Sequence, residues 1–210
     1  MDAGTNKVRR VIATGALGLL ALGAQATAAV AAPATTTQLN PEPPASYTCA
    51  AIGAGTRCTS DTTEVLDPEP TGIVCGTGPG AFEVMDRATR RVKAERWYDT
   101  DGNMVKRVRS NLFSESALFN PGTGAAVPYD QHDTDTDLLA VPGDLGSRTT
   151  YSVESFVATA PGEGAVLVNK GRSVYDADGE VLERTGHRDF DAYAGGDVSV
   201  MDGLCRALGG

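Results

Sequence analysis

The sequence predicts a mainly β domain, either an antiparallel up-and-down barrel or a curved meander of about seven or eight strands, with a short C-terminal helix. A two-sheet β-sandwich is the alternative architecture. Three observations predict it. From Ile73 onward, runs of Val, Thr, Tyr, Phe and Leu are broken by Gly, Asn and Asp, which is the texture of strands and tight turns. The connections are too short for parallel pairing, which needs a crossover of about a dozen residues. Finally, Cys49, Cys58, Cys75 and Cys205 form an even set with no C-x-x-C and no nearby His. That pattern suits two disulfides in an oxidising compartment rather than a zinc site.

The N-terminus carries Lys7, Arg9 and Arg10, an apolar run over 11–23, and then small residues that offer Ala26-Thr27-Ala28 or Ala29-Val30-Ala31 to a peptidase. This is the pattern of a signal peptide over 1–28, with cleavage as late as 31. The apolar run falls short of the ~20 residues that a spanning helix needs. Arg9-Arg10 hints at twin-arginine export, but the residues that should follow the pair are missing, so general secretion to the extracellular space is expected. No lipobox cysteine follows. Losing this segment takes 18 basic and 27 acidic side chains to 15 and 26, a net charge of −11. Such an acidic chain repels phosphate backbones and anionic headgroups, so nucleic acid and membrane are not expected partners. No later run is long enough to insert in a bilayer.

Residues 29–72 read as a flexible leader. Pro33, Pro41, Pro43 and Pro44 lie among small polar residues, and 59–71 is again polar, with Pro68 and Pro70. Between the two stretches, Cys49 and Cys58 would close a small loop helped by Gly53 and Gly55. Cys75 and Cys205 would then tie together the ends of a β domain over 73–210.

Within that domain, strands are expected at 82–85, 91–98, 104–113, 125–141 (as one strand, or as two broken near Pro128), 149–160, 165–175 and 180–190. Asp99-Thr100-Asp101-Gly102 and Asp176-Ala177-Asp178-Gly179 are hairpin turns, because Gly accepts positive φ at little steric cost. The surrounding segments, 98–107 and 175–184, match each other through reuse of one turn. Over 197–208, Val198, Met201, Leu204, Cys205 and Leu208 fall at helical spacing, with Asp197 placed to cap.

Few residues suggest chemistry. The Asp99/Asp101 and Asp176/Asp178 turns lack the further carboxylates that calcium needs, and Asp133, Asp135, Asp137 and Asp144 have Leu138 where a calcium loop requires Gly. No metal and no cofactor is expected. Glu183, Thr185, His187 and Asp189 alternate and so share a strand face, where a His beside carboxylates could act as a general base. On 91–98, Arg96 shares a face with Val92, Ala94 and Tyr98. An inward Arg needs a carboxylate, with Glu154 or Glu183 available, or an anionic ligand. No dinucleotide fingerprint, P-loop, G-x-S-x-G or H-E-x-x-H is present.

Several short motifs lie between Cys75 and Cys205: Cys75-Gly76, the Tyr98 to Asn103 turn, Asn120-Pro121 before Thr123-Gly124, Pro161-Gly162 before Gly164, Gly171-Arg172 before Val174-Tyr175-Asp176, and Gly186-His187 before Asp189. Through them the chain resembles a group of uncharacterised secreted β-rich proteins of high-GC Gram-positive bacteria. The resemblance implies a small barrel or curved sheet and transfers no catalytic residue. The leading expectation is a secreted module that binds a small, partly apolar ligand without catalysis, with pocket candidates Arg96, Glu154, Glu183, His187 and Asp189. The alternatives are a secreted hydrolase or isomerase using the His187, Asp189 and Glu183 set, and a structural protein of the cell envelope.

Overall fold

In this computed structural model, residues 38–210 are described, and the expected signal peptide lies outside them. Eight strands run in sequence order through one antiparallel sheet: β1 (Thr48–Ile52), β2 (Gly55–Cys75), β3 (Phe82–Tyr98), β4 (Met104–Phe119), β5 (Ala126–Leu139), β6 (Arg148–Ala160), β7 (Gly164–Tyr175) and β8 (Val181–Arg188). The sheet is a curved meander. It does not close into a barrel, because β8 does not pair with β1 or β2, and it is not a two-sheet sandwich. Two short helices follow, α1 (Asp189–Ala194) and α2 (Asp202–Ala207), with a 3-10 turn over Val198–Met201 between them.

Turn chemistry builds the hairpins. Asp99 Oδ1 accepts from the backbone N–H of Asp101 (3.0 Å) and of Asn103 (2.8 Å), and Gly102 has φ 83°. Asp176 Oδ1 does the same with Asp178 (3.0 Å) and Glu180 (2.9 Å) ahead of Gly179, φ 87°. The two matching segments therefore share one turn design, and the carboxylates of Asp99 and Asp176 are spent on backbone amides.

The expected flexible leader is corrected from residue 38 on. Asn40 bridges the β3–β4 turn, donating to Gly102 O and accepting from Met104 N, both at 2.8 Å. Residues 59–71, expected as linker, belong to β2, most of whose side chains are exposed. This strand holds through its backbone ladder to β3 and through cross-strand pairs, Asp61 with Arg91 (2.6 Å) and Arg57 with Glu95 (2.7 Å), rather than through burial. Pro68 and Pro70 fall where the β2–β3 register shifts, so a missing N–H costs little there.

Pro128 does not break β5. Opposite it, β4 carries one extra residue between Leu112 and Ala117, with Glu115 at φ 53°, and the Ser116 hydroxyl donates to Tyr129 O (2.6 Å). The expected last strand is shorter than 180–190, because Asp189 ends it. Its Oδ2 accepts from Val168 N (2.7 Å), replacing a strand partner, and the chain turns into α1.

Alternation sorts the side chains onto two faces. Val84 of β3, Leu118 of β4, Val127 and Tyr129 of β5, Phe156 and Ala158 of β6 and Leu167 of β7 share the concave face, where Met201, Leu204 and Leu208 cover them. A smaller cluster, Cys58, Tyr98, Met104 and Leu139, lies at the other end, with Leu39 and Tyr47 packed on it. Cys49 is bonded to Cys58, and Cys75 to Cys205. The second bridge fastens α2 to the end of β2. Tyr193 of α1 adds to it, its hydroxyl donating to Gly72 O (3.3 Å) and accepting from Val74 N (3.4 Å). The helices thus span the gap that hydrogen bonding leaves open between the two ends of the sheet.

Candidate functional site

A cavity of about 470 Å³ lies between the concave face and α1. Strands β2 to β7 all line it, among them Asp86, Leu118, Gln131, Phe156 and Asn169, and α1 supplies Phe190 and Tyr193. The aromatic wall is ordered by its own packing. Tyr129 lies against Phe156 (centroids 4.7 Å), and Phe156 meets Phe190 edge-on (5.1 Å).

Polar groups interrupt this wall at defined points. The Tyr129 hydroxyl donates to Asp86 Oδ1 (2.9 Å). Burial pushes the Asp86 carboxyl above its ordinary value, an effect that this hydrogen bond partly opposes. Burial and the neighbouring Asp86 charge push the Tyr129 phenol upward. Asn169 is only 6 % exposed, and its Oδ1 has no hydrogen-bond partner among the described residues. A buried acceptor left unpaired carries a desolvation cost of about 1–3 kcal/mol that a donor on a ligand would relieve.

Glu154 borders the same cavity and forms an ion pair with Arg188, whose Nη2 also donates to Ser173 Oγ (3.0 Å). Two facing glycines make room for this pair. A Cβ on Gly171 would lie 2.1 Å from Thr185 O and 2.9 Å from Arg188 Nη2, and one on Gly186 would lie 2.1 Å from Lys170 O. The Gly171 and Gly186 motifs of the sequence are thus a close approach of two backbones.

The expected site residues do not assemble. Glu154 reaches the cavity. Arg96 does share the concave face with Ala94 and Tyr98, but at the opposite end, where its guanidinium covers the Tyr47 ring (5.1 Å) and donates to Glu42 O (3.3 Å) rather than to Glu154 or Glu183. Glu183 alternates onto the other face and pairs with Arg172 (3.2 Å). His187 shares that face, 68 % exposed and 2.8 Å from Asp189, whose second oxygen is tied to β7. Sequence reasoning missed Asp86, Gln131 and Asn169. The signal was parity, since each stands at an inward position next to inward apolar residues such as Val84, Val127 and Leu167.

Among the described residues, no group of three or more His, Cys, Asp or Glu side chains is placed to hold a metal ion. No helix among them is long and apolar enough to cross a membrane. The two disulfides suit an extracellular or otherwise oxidising environment. No protein-family model, no curated protein and no solved structure matches the chain.

Proposed function

We propose that this chain is an exported binding module that takes a small, partly apolar ligand into the cavity beneath α1. One observation carries this: a concave space of about 470 Å³ with aromatic walls and one buried, unpartnered acceptor, Asn169 Oδ1. Small-molecule sites occupy about 300–1,000 Å³ and combine an apolar lining with a few placed polar groups. The complementary ligand has a flat ring body for Phe156 and Phe190 and a hydroxyl or N–H that donates to Asn169.

Fluorescence titration with 2-naphthol, an aromatic body bearing one hydroxyl, tests this. Saturable binding is expected, weakened about tenfold by Asn169→Leu, which removes the acceptor. Absence of saturable binding, or an unchanged affinity in the variant, rejects the reading. Export rests on the N-terminal pattern, and the two disulfides support it. N-terminal sequencing of secreted material should begin at Ala29 or Ala32, and an intact Met1 would refute it.

A second reading, acid–base catalysis, is favoured by Asp86. A carboxyl raised by burial, hydrogen-bonded to Tyr129 and facing an apolar cavity, is a proton acceptor of tuned strength. Turnover of a bound ligand by the wild type, abolished in Asp86→Asn while binding persists, would establish it. Binding without turnover in both proteins leaves the binding module alone.

A further inference from the structure

The other end of the concave face holds a second hollow, of about 360 Å³, that uses different residues from the aromatic cavity. Four guanidinium groups border it, those of Arg96, Arg107, Arg109 and Arg148, with two carboxylates, Asp135 and Asp137. That is a local charge of +2 in a chain whose net charge is −9.

Neutralisation inside the hollow is incomplete in a specific way. Asp137 is spent: its Oδ2 takes both Nε (2.6 Å) and Nη2 (2.5 Å) of Arg107, and its Oδ1 accepts from the Thr150 hydroxyl (2.7 Å). Asp133, beyond Asp135 on the same face of β5, is engaged by Asn111 (2.5 Å). Arg109 stands in register with Asp135, yet among the described residues neither forms an ion pair within 4 Å. Arg148 donates to the carbonyl of Leu145 (3.3 Å) and, among the described residues, forms no ion pair. Arg96 donates one nitrogen to Glu42 O and rests on Tyr47, while its buried Nε has no partner among the described residues.

Register makes the arrangement costly. Arg96 lies directly opposite Arg107 on neighbouring strands, where like charges repel. Asp137 offsets Arg107 and the Tyr47 ring seats Arg96, yet among the described residues Arg96, Arg109 and Arg148 are left without an ion-pair partner. Forked N–H donors converging on one hollow match the geometry of carboxylate, phosphate and sulfate groups.

We infer that this hollow is an oxoanion-binding site, with Arg96, Arg109 and Arg148 as the donors. The test is isothermal titration of the full, disulfide-bonded protein at low ionic strength, with inorganic phosphate in one arm and glucuronic acid in the other. Saturable binding of at least one anion is expected, weakening as salt is added. Arg109→Gln, at an exposed position, should weaken it about tenfold, and Arg109→Gln with Arg148→Gln further. Arg109→Lys, which keeps the charge and loses the fork, should fall between the wild type and Arg109→Gln. Arg172→Gln, on the opposite face, should leave the affinity unchanged. Tighter glucuronic acid than phosphate assigns the site to an acidic sugar-sized molecule, and equal affinities assign it to the bare oxoanion. Failure of both anions to saturate, or equal affinity in the wild type and the Arg109/Arg148 double variant, overturns the inference whatever the aromatic cavity binds.

Discussion

The two ends of the concave face are built on the same strands with the same alternation, yet they differ in almost every physical respect. Beneath α1 and α2 the inward positions are Val84, Leu118, Val127, Phe156 and Leu167, and Met201, Leu204 and Leu208 cover them. Toward the β3–β4 turn, the inward positions of the same strands become Arg96, Arg107, Arg109, Asp135 and Asp137 around a hollow. The helices are what separates them. Where a covering layer arrives, inward apolar side chains leave water and hold the fold. At the other end only Leu39 and Tyr47 pack over a small cluster, and the inward positions beside it carry charge held by pairing, as Arg107 holds the buried Asp137. The larger apolar core and the charged hollow thereby lie at opposite ends of one sheet.

The largest effect that would break this comparison is at the cysteines. Removing the Cys75–Cys205 bridge, which closes a separation of 130 residues and fastens the cover, should cost about 5 kcal/mol by chain entropy. Removing Cys49–Cys58, with a separation of 9 at the other end, should cost about 2.5 kcal/mol. Urea unfolding of the paired Cys→Ser variants measures both. Equal costs would show that loop closure in the unfolded chain does not set what each bridge contributes.

Next in size is a side-chain contrast. Leu204→Ala, at a fully buried position, should lose about 3 kcal/mol, whereas Arg109→Gln should stay within about 0.5 kcal/mol of the wild type. A large loss at Arg109 would mean that the charged end also carries stability.

The smallest expected effect sharpens the comparison within the covered end. Asp86 has a higher pKa folded than unfolded. As pH rises past the ordinary carboxyl value toward the folded one, the unfolded chain releases its proton first, so stability falls across that window and stays lower above it. Asp86→Asn should flatten this part of the stability–pH curve. Asp133 shifts in the same direction and should leave a residual slope. An unchanged curve in Asp86→Asn would show that its carboxyl is not desolvated.

Much of the fold was legible in the residues. The two D-x-D-G turns, the antiparallel order and a helical C-terminus follow from turn chemistry, connection length and spacing, all local properties. β2 was not legible over 59–71, because an exposed, Pro-containing strand draws its stability from the β3 backbone, and no window of its own sequence records that. Helix α1 was hidden for a related reason. Asp189 looks like one more alternating polar residue until its carboxylate is seen replacing a strand partner for Val168. The site was less legible than the fold. His187 and Glu183 drew notice as chemistry-bearing side chains but face outward, while Asp86 and Asn169 drew none because parity says which residues share a face and not which face is covered.

By itself the sequence determined the class of backbone, the places where it turns and which residues travel together on one side of each strand. These depend on φ/ψ preference and on a two-residue period, which act within a few residues. Only the tertiary structure decided which side faces inward, where the helices come to rest, and hence which end became an aromatic cavity and which a charged hollow. Those outcomes depend on burial and on pairing between residues as far as 121 positions apart, and neither is encoded in any short stretch of chain.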